Sequence, residues 1–260
     1  MRNFKEDIVN GIWEILRENI EQELSKESIS VEAPRNRDFG DYTTNTALKI
    51  AKELHRKPMD VALYLRQELE IKCPWVEKIT VVEPGFVNFF LGDQSLYEVL
   101  TRRASDDEGI FSRKDVPFHW QEKLQAFLEE DECRRNLKDM QYVHSRIHSI
   151  LKLLREEGIR LEEVEEKQIV YEKSDLEKEV LRKLGAFSQQ VEVALKHDRP
   201  EDILNYGMGL GKLYFKLHEK TLFRQLEKPR LHGALRIMEV MGLIIRTILE
   251  AFEIEAPEKM

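Results

Sequence analysis

Cysteine is nearly absent from this chain: Cys73 and Cys133 are the only two, and they form no CxxC pair. That excludes a disulfide framework and a cysteine-rich zinc site, and it fits a reducing compartment, so a cytoplasmic location is expected. No apolar run approaches the roughly 20 residues a membrane span requires, so no membrane partner is expected. The opening MRNFKEDIVNGIWEIL is amphipathic and carries acids, unlike a signal or transit peptide. Internal repeats and low-complexity tracts are missing too. No Ser-His-Asp or Cys-His arrangement stands out, and no catalytic residue is assigned.

A surplus of positive charge is also lacking. The formal net charge is −8, which argues against a broad, non-specific polyanion binder and against DNA as a partner. Its distribution is uneven: −3 over residues 1–91, −6 over 92–132 and +1 over 133–260. Within residues 133–160 the balance reaches +4, a local basic patch able to meet RNA through one face.

Hydrophobic residues make up 42% and charged residues 35% of the 260, which suits a helix-rich protein with a real core. Residues 3–24 read as a helix with Ile8, Ile12, Ile15 and Leu16 buried. Ile29 to Ala33 is a strand candidate, and Pro34 to Gly40 is a polar loop carrying Arg35 and Arg37. Asp41 is placed to cap a helix through Leu54, and Pro58 to open another through Leu69. Val76 to Val82 and Gly85 to Leu91 are β-rich runs around a Glu83-Pro84-Gly85 turn. The expected order is α-β-α-α-β-β, a small α+β domain over residues 1–91. Residues 92–132 read as an acidic linker containing helices. Helices are expected at roughly 119–130, 133–157, 174–197, 201–226 and 230–252, and residues 133–260 form an all-α helical bundle.

The stretch Gln141 to Gly158 shows how such a bundle is built. Val143, Ile147, Ile150, Leu151 and Leu154 make one apolar stripe, and Gly158 supplies a stop. Tyr142, Arg146 and Ser149 share one flank of it; His144 and His148 share the other. An aromatic and a guanidinium one turn apart suit a stacked base and a paired phosphate, although an ordinary structural helix reads the same way.

Two longer patterns are more specific. VEAPRNRDFGDYTTNTALKIAKELHRKP followed by VVEPGFVNFF resembles the N-terminal additional domain of arginyl-tRNA synthetases, with its GDYATN-like helix start and PGF(I/V)NF hairpin. QYVHSRIHSI resembles the QYAHAR-type helix of that family's DALR anticodon-binding domain. The likeness continues through PEDILNYGMGLGKLYFKL and RLHGALRIMEVMGLIIRTILEAF to EAPEKM, similar to the family's APERM. A class I catalytic domain with HIGH-type and KMSKS-type elements separates these modules in the synthetases. Here residues 92–132 are too short for one, and neither element occurs.

The resemblance implies non-catalytic recognition of tRNA, by analogy arginine tRNA, through the D-loop and the anticodon arm. A separate tRNA-modifying or synthetase enzyme is the implied protein partner. On the hairpin, Phe86 would stack on a D-loop base and Asn88 would pair with its edge, with Arg35 and Arg37 holding phosphates nearby. In the bundle, Tyr142 and Met260 match positions that cradle anticodon bases in the family, Arg146 matches the Arg of its HAR element, in a structural or an RNA-contacting role, and His218 is a further RNA-binding candidate. Asp139 and His218 stand where the family commonly has Tyr. Two alternatives remain open: the tRNA-binding subunit of a split arginyl-tRNA synthetase, or a protein-interaction module that has lost RNA binding. No cofactor and no metal are expected. His144 and His148 lack the HExxH acid and a third ligand, and Gly207, Gly209, Gly211 and Lys212 miss the Walker A spacing.

Overall fold

The computed structural model describes residues 3–18, 25–34, 36–92, 95–96, 111–159, 161, 174–221 and 223–260. The chain divides into two compact units, Arg2–Leu96 and Tyr97–Met260.

The first unit is α+β. Its helix α1 (Phe4–Arg17) starts where the Asn3 side chain accepts from the Glu6 N–H at 3.2 Å, and it buries Ile8, Ile12, Ile15 and Leu16. Strands β1 (Val31–Glu32) and β2 (Tyr42–Thr44) follow, then helices α2 (Thr46–Ile50) and α3 (Pro58–Lys72), then strands β3 (Val76–Val82) and β4 (Phe86–Leu91). The antiparallel sheet runs β1-β2-β4-β3, so β4 is an interior strand. Val31, Ile79, Val87, Phe89 and Leu91 are buried on its core face, by the alternation of a half-buried strand.

Asp41 does something other than cap a helix. Tyr42, Thr43 and Thr44 continue as strand, so the helix begins only at Thr46. The Asp41 carboxylate instead accepts from the Leu91 N–H at 2.7 Å, pinning the end of β4. β-branched Thr43 and Thr44 favour the pleated surface over the helical turn the capping signal suggested. The observed order is therefore α-β-β-α-α-β-β.

The second unit is helical among the described residues: α4 (Trp120–Leu128), α5 (Asp131–Glu156), α6 (Asp175–Gly185), α7 (Phe187–His197), α8 (Pro200–Lys220) and α9 (Lys228–Ala251). The expected single helix over 174–197 is two, broken at Ala186 after Gly185. Helix α9 is buried along most of its length and forms the centre of the bundle. At Gly242 an added Cβ would lie 2.9 Å from Ile147, and at Gly207 2.6 Å from Met140, so α5 packs tightly on both α8 and α9. The glycines of the Walker-like run are thus helix-contact residues inside α8.

Residues 111–130, within the stretch read as linker, lie in the second unit, where Trp120 is fully buried. Asp198, left-handed at φ 55° after α7, accepts from Trp120 Nε1 at 2.6 Å and Lys123 Nζ at 2.5 Å, and meets His119 Nε2 at 2.6 Å. These hydrogen bonds, Lys123 first, hold its carboxyl well below the usual carboxylate range. They fasten α4 to the end of α7.

Candidate nucleic-acid interface

In the second unit an aromatic surface forms where α5 crosses α8. Tyr142 is 45% exposed, and its ring lies nearly parallel to that of Phe215, at 12° and 6.2 Å between centroids. Phe215, itself 41% exposed, meets the buried Tyr214 edge-on at 5.8 Å. Tyr214 packs against His218 at 5.5 Å, and His218 against Phe223 at 5.9 Å. The series Tyr142–Phe215–Tyr214–His218–Phe223 is continuous, anchored by one buried ring and exposed at Tyr142, Phe215 and His218. Burial raises the Tyr214 hydroxyl to about 12, with the nearby Arg146 charge opposing the shift, so it stays neutral.

Cations border this surface. Arg146 lies one turn beyond Tyr142 and is exposed. Lys212, Lys216 and Lys220 are exposed on α8 at i, i+4 and i+8. Like charges at that spacing repel, so the row costs helix stability in the free protein and suits an anionic ligand. Exposed aromatic faces beside lysines and an arginine are the groups that base stacking and phosphate pairing call for. Phe215, Lys216 and Lys220 were not among the residues singled out from sequence, and Lys212 entered only as the end of a Walker-like run. Their signal was the K-x-x-F-K spacing of residues 212–216, which acquires meaning only once Phe215 is set against Tyr142.

The opposite flank of α5 holds the segment after α9. Gln141 Nε2 donates to the Glu255 carbonyl at 2.8 Å, and His144 Nδ1 meets the Pro257 carbonyl at 3.0 Å. His148 lies 3.8 Å from Glu258. The two histidines thus face this segment, and no group of three or more metal-ligating side chains is found among the described residues. Met260, three residues beyond Pro257, is 69% exposed.

In the first unit, Phe86 is 36% exposed at the start of β4, next to exposed Val82 across the hairpin. Asn88 shares that face but is 2% exposed, and its Oδ1 accepts from Thr43 Oγ1 at 2.6 Å. The reason is strand order: Thr43 and Thr80 flank Asn88 from β2 and β3. Phe86 therefore presents a ring, whereas the Asn88 carbonyl is committed within the sheet. Arg35 lies outside the described residues, as does the Arg37 side chain, whose backbone forms a short turn, Arg37–Phe39. Phe39 on that turn is 45% exposed, a further aromatic that sequence reading passed over. No helix among the described residues is long and apolar enough to cross a membrane.

Comparison with known proteins finds a family match for each unit. Residues 4–91 match the arginyl tRNA synthetase N terminal domain family, and residues 140–260 match the DALR anticodon binding domain family. An arginine–tRNA ligase of Prosthecochloris aestuarii is 43% identical over 63 residues, covering 24% of this chain and 11% of the ligase. That of Thermotoga maritima is 35% identical over 110 residues, 42% of this chain and 20% of the ligase. That of Acetivibrio thermocellus is 28% identical over 108 residues, 38% of this chain and 19% of the ligase. Each match thus spans a fifth or less of the relative's length.

Proposed function

We propose that this chain, a relative of the arginyl-tRNA synthetases through both of its units, binds tRNA without aminoacylating it. The observation that carries the reading is the juxtaposition of the two domain families with only residues 92–139 between them. The described part of that interval holds a short turn at Arg113–Asp115, α4 and the start of α5, and a nucleotide-binding α/β domain needs far more chain. What the chain retains is surface: Phe86 on one unit and the Tyr142–Phe215 platform with its lysine row on the other. The first would meet the D-loop and the second the anticodon arm. Two weak contacts on one folded RNA reinforce each other, because binding at the first raises the effective concentration of the second. Arginine tRNA is the proposed ligand, and a tRNA-modifying or synthetase enzyme the proposed recipient.

A gel shift at physiological salt with arginine tRNA against a non-cognate tRNA tests this. Preference for arginine tRNA supports the reading; equal affinity removes the specificity, and no binding removes the function. The gap between the two domains also favours a second version, in which this chain is the tRNA-binding subunit of a split ligase. Arginine- and ATP-dependent charging that appears only on adding a catalytic chain selects that version, whereas charging by this chain alone contradicts both.

A further inference from the structure

We propose that Asp139 is a specificity-determining residue of the aromatic platform, selecting an unpaired guanine as the base that stacks on Tyr142. This rests on the tRNA-binding reading and names the base class that the same surface takes. Asp139, Tyr142 and Arg146 stand at i, i+3 and i+7 on α5, so they share one face of the helix, and all three are exposed. Among the described residues Asp139 enters no hydrogen bond or ion pair, although Arg135 stands one turn before it. An open carboxylate on a surface bordered by Arg146, Lys212, Lys216 and Lys220 weakens the attraction for phosphate and fastens nothing in the fold. The group it suits is a base edge that donates.

Phe215 takes one face of the Tyr142 ring, which leaves the other face to a base. Long helical side chains lean toward the N-terminus, which brings that ring toward the turn carrying Asp139. Arg146 lies on the far side of Tyr142, seven residues from Asp139 and about 10 Å along the axis. A nucleotide laid along that line turns its phosphate toward the guanidinium and its pairing edge toward the carboxylate. Both carboxylate oxygens accept and neither donates. Guanine presents two adjacent donors there, N1–H and the 2-amino group, and meets both oxygens at once. Adenine and cytosine set one amino group beside a ring-nitrogen lone pair, and uracil sets its single N–H between two carbonyl oxygens. Each of these three therefore turns an acceptor toward an acceptor. A bidentate pair separates the right base from a wrong one by about 5- to 150-fold.

The test uses the full chain and end-labelled RNA hairpins whose uridine loop carries guanosine, inosine, adenosine, cytidine or uridine at its centre, read by fluorescence anisotropy at fixed physiological salt. The guanosine loop should bind at least about fivefold tighter than the uridine loop. Inosine keeps N1–H and lacks the 2-amino group, so its loop should fall between them. Asp139→Asn keeps the size of an exposed side chain and leaves it one acceptor. It should cut the guanosine preference below about twofold, while the uridine loop binds as well as before or better. Loops bound alike by the unaltered protein overturn the proposal. So does a gain of the same factor for every loop in Asp139→Asn, the mark of a carboxylate that only repels phosphate. Failure of every hairpin to bind overturns it too, and arginine tRNA still binding then leaves the tRNA reading standing. A guanosine preference in a protein with no affinity for arginine tRNA overturns that reading instead.

Discussion

Replacing Tyr142 by Ala separates a stacking surface from a structural one. The Tyr142 ring is 45% exposed and gives one face to Phe215, so truncation removes one aromatic pair and part of a half-open contact. An aromatic pair contributes about 0.5–1.5 kcal/mol beyond area burial, so folding should weaken by about 1 kcal/mol, and the bundle should stay folded. A base stacked on such a ring is worth about 1–3 kcal/mol, which at 1.4 kcal/mol per decade is about 5- to 150-fold in Kd. Fluorescence anisotropy with end-labelled arginine tRNA, at fixed salt near 0.15 M, reads the binding; urea unfolding reads the stability. Tyr142→Phe should stay near the unaltered protein, because it keeps the face. Phe215→Ala should lose nearly as much as Tyr142→Ala, and the double variant little more, since each ring supports the other. Binding within twofold of the original in Tyr142→Ala, with the fold intact, refutes the platform.

The first unit offers a paired contrast. Phe86→Ala should weaken tRNA binding by about 1–3 kcal/mol without unfolding the unit. Asn88→Ala should mainly lower stability in urea, by about 1–3 kcal/mol, because it leaves the Thr43 hydroxyl without its acceptor. Changing Lys212 and Lys216 to Gln should flatten the dependence of log K on log salt by about 0.7 per lysine if they meet phosphates of a single-stranded loop, and an unchanged slope removes them from the interface. The pH dependence of stability has a definite sign. Burial lowers the pKa of both His144 and His232, so the unfolded chain takes up protons first as pH falls. Their stabilising contribution is complete above the unfolded value of about 6.5 and is lost as pH drops from there toward the depressed folded values. Urea midpoints at pH 7.5 and 5.5 should differ in that direction, and less so in His144→Phe; a midpoint that rises at pH 5.5 contradicts it.

What could be read from sequence was what depends on near neighbours. The stripe Ile8, Ile12, Ile15, Leu16 is buried as its spacing required, and the β3–β4 hairpin turns at Glu83–Gly85. Gly158 adopts φ 88° at the end of α5, as a helix stop should. Tyr142 and Arg146 do share an exposed flank. What escaped depends on partners distant in the chain. Asp41 has the chemistry of a helix cap, and only the pairing of β2 with β4 gives its carboxylate a better donor in Leu91. Asn88 looks available on a two-residue period until strand order sets Thr43 and Thr80 beside it. Phe215 is one aromatic among several on α8 until the crossing of α5 selects it as the ring beneath Tyr142. Local pattern supplied the elements; long-range pairing decided which of their polar and aromatic groups remain free for a ligand.

The acid balance of the chain can be reconciled with RNA by distance. A net charge of −8 repels a polyanion, yet at physiological ionic strength that repulsion decays over about 8 Å. The acids Glu129, Glu130, Asp131 and Glu132 crowd the start of α5, and Asp131 precedes Tyr142 by eleven residues. At 1.5 Å per residue that is about 16 Å, some two screening lengths away. Arg146 is one turn from Tyr142, about 6 Å along the axis, and the lysines of α8 border the same rings. At the platform the nearby cations Arg146, Lys212, Lys216 and Lys220 outnumber two acids, Asp139, three residues before Tyr142, and Glu219, one turn after Phe215. On the proposed reading such a surface would not coat arbitrary RNA; it would admit a strand where unstacked bases are offered to its rings. Lowering the salt from about 0.15 M to 0.01 M stretches the screening length to about 30 Å and brings the distant acids into play. The increase in affinity on dilution should therefore fall short of what the local lysines alone would give. An increase as steep as that of a uniformly basic binder would show that the acids do not shape the encounter.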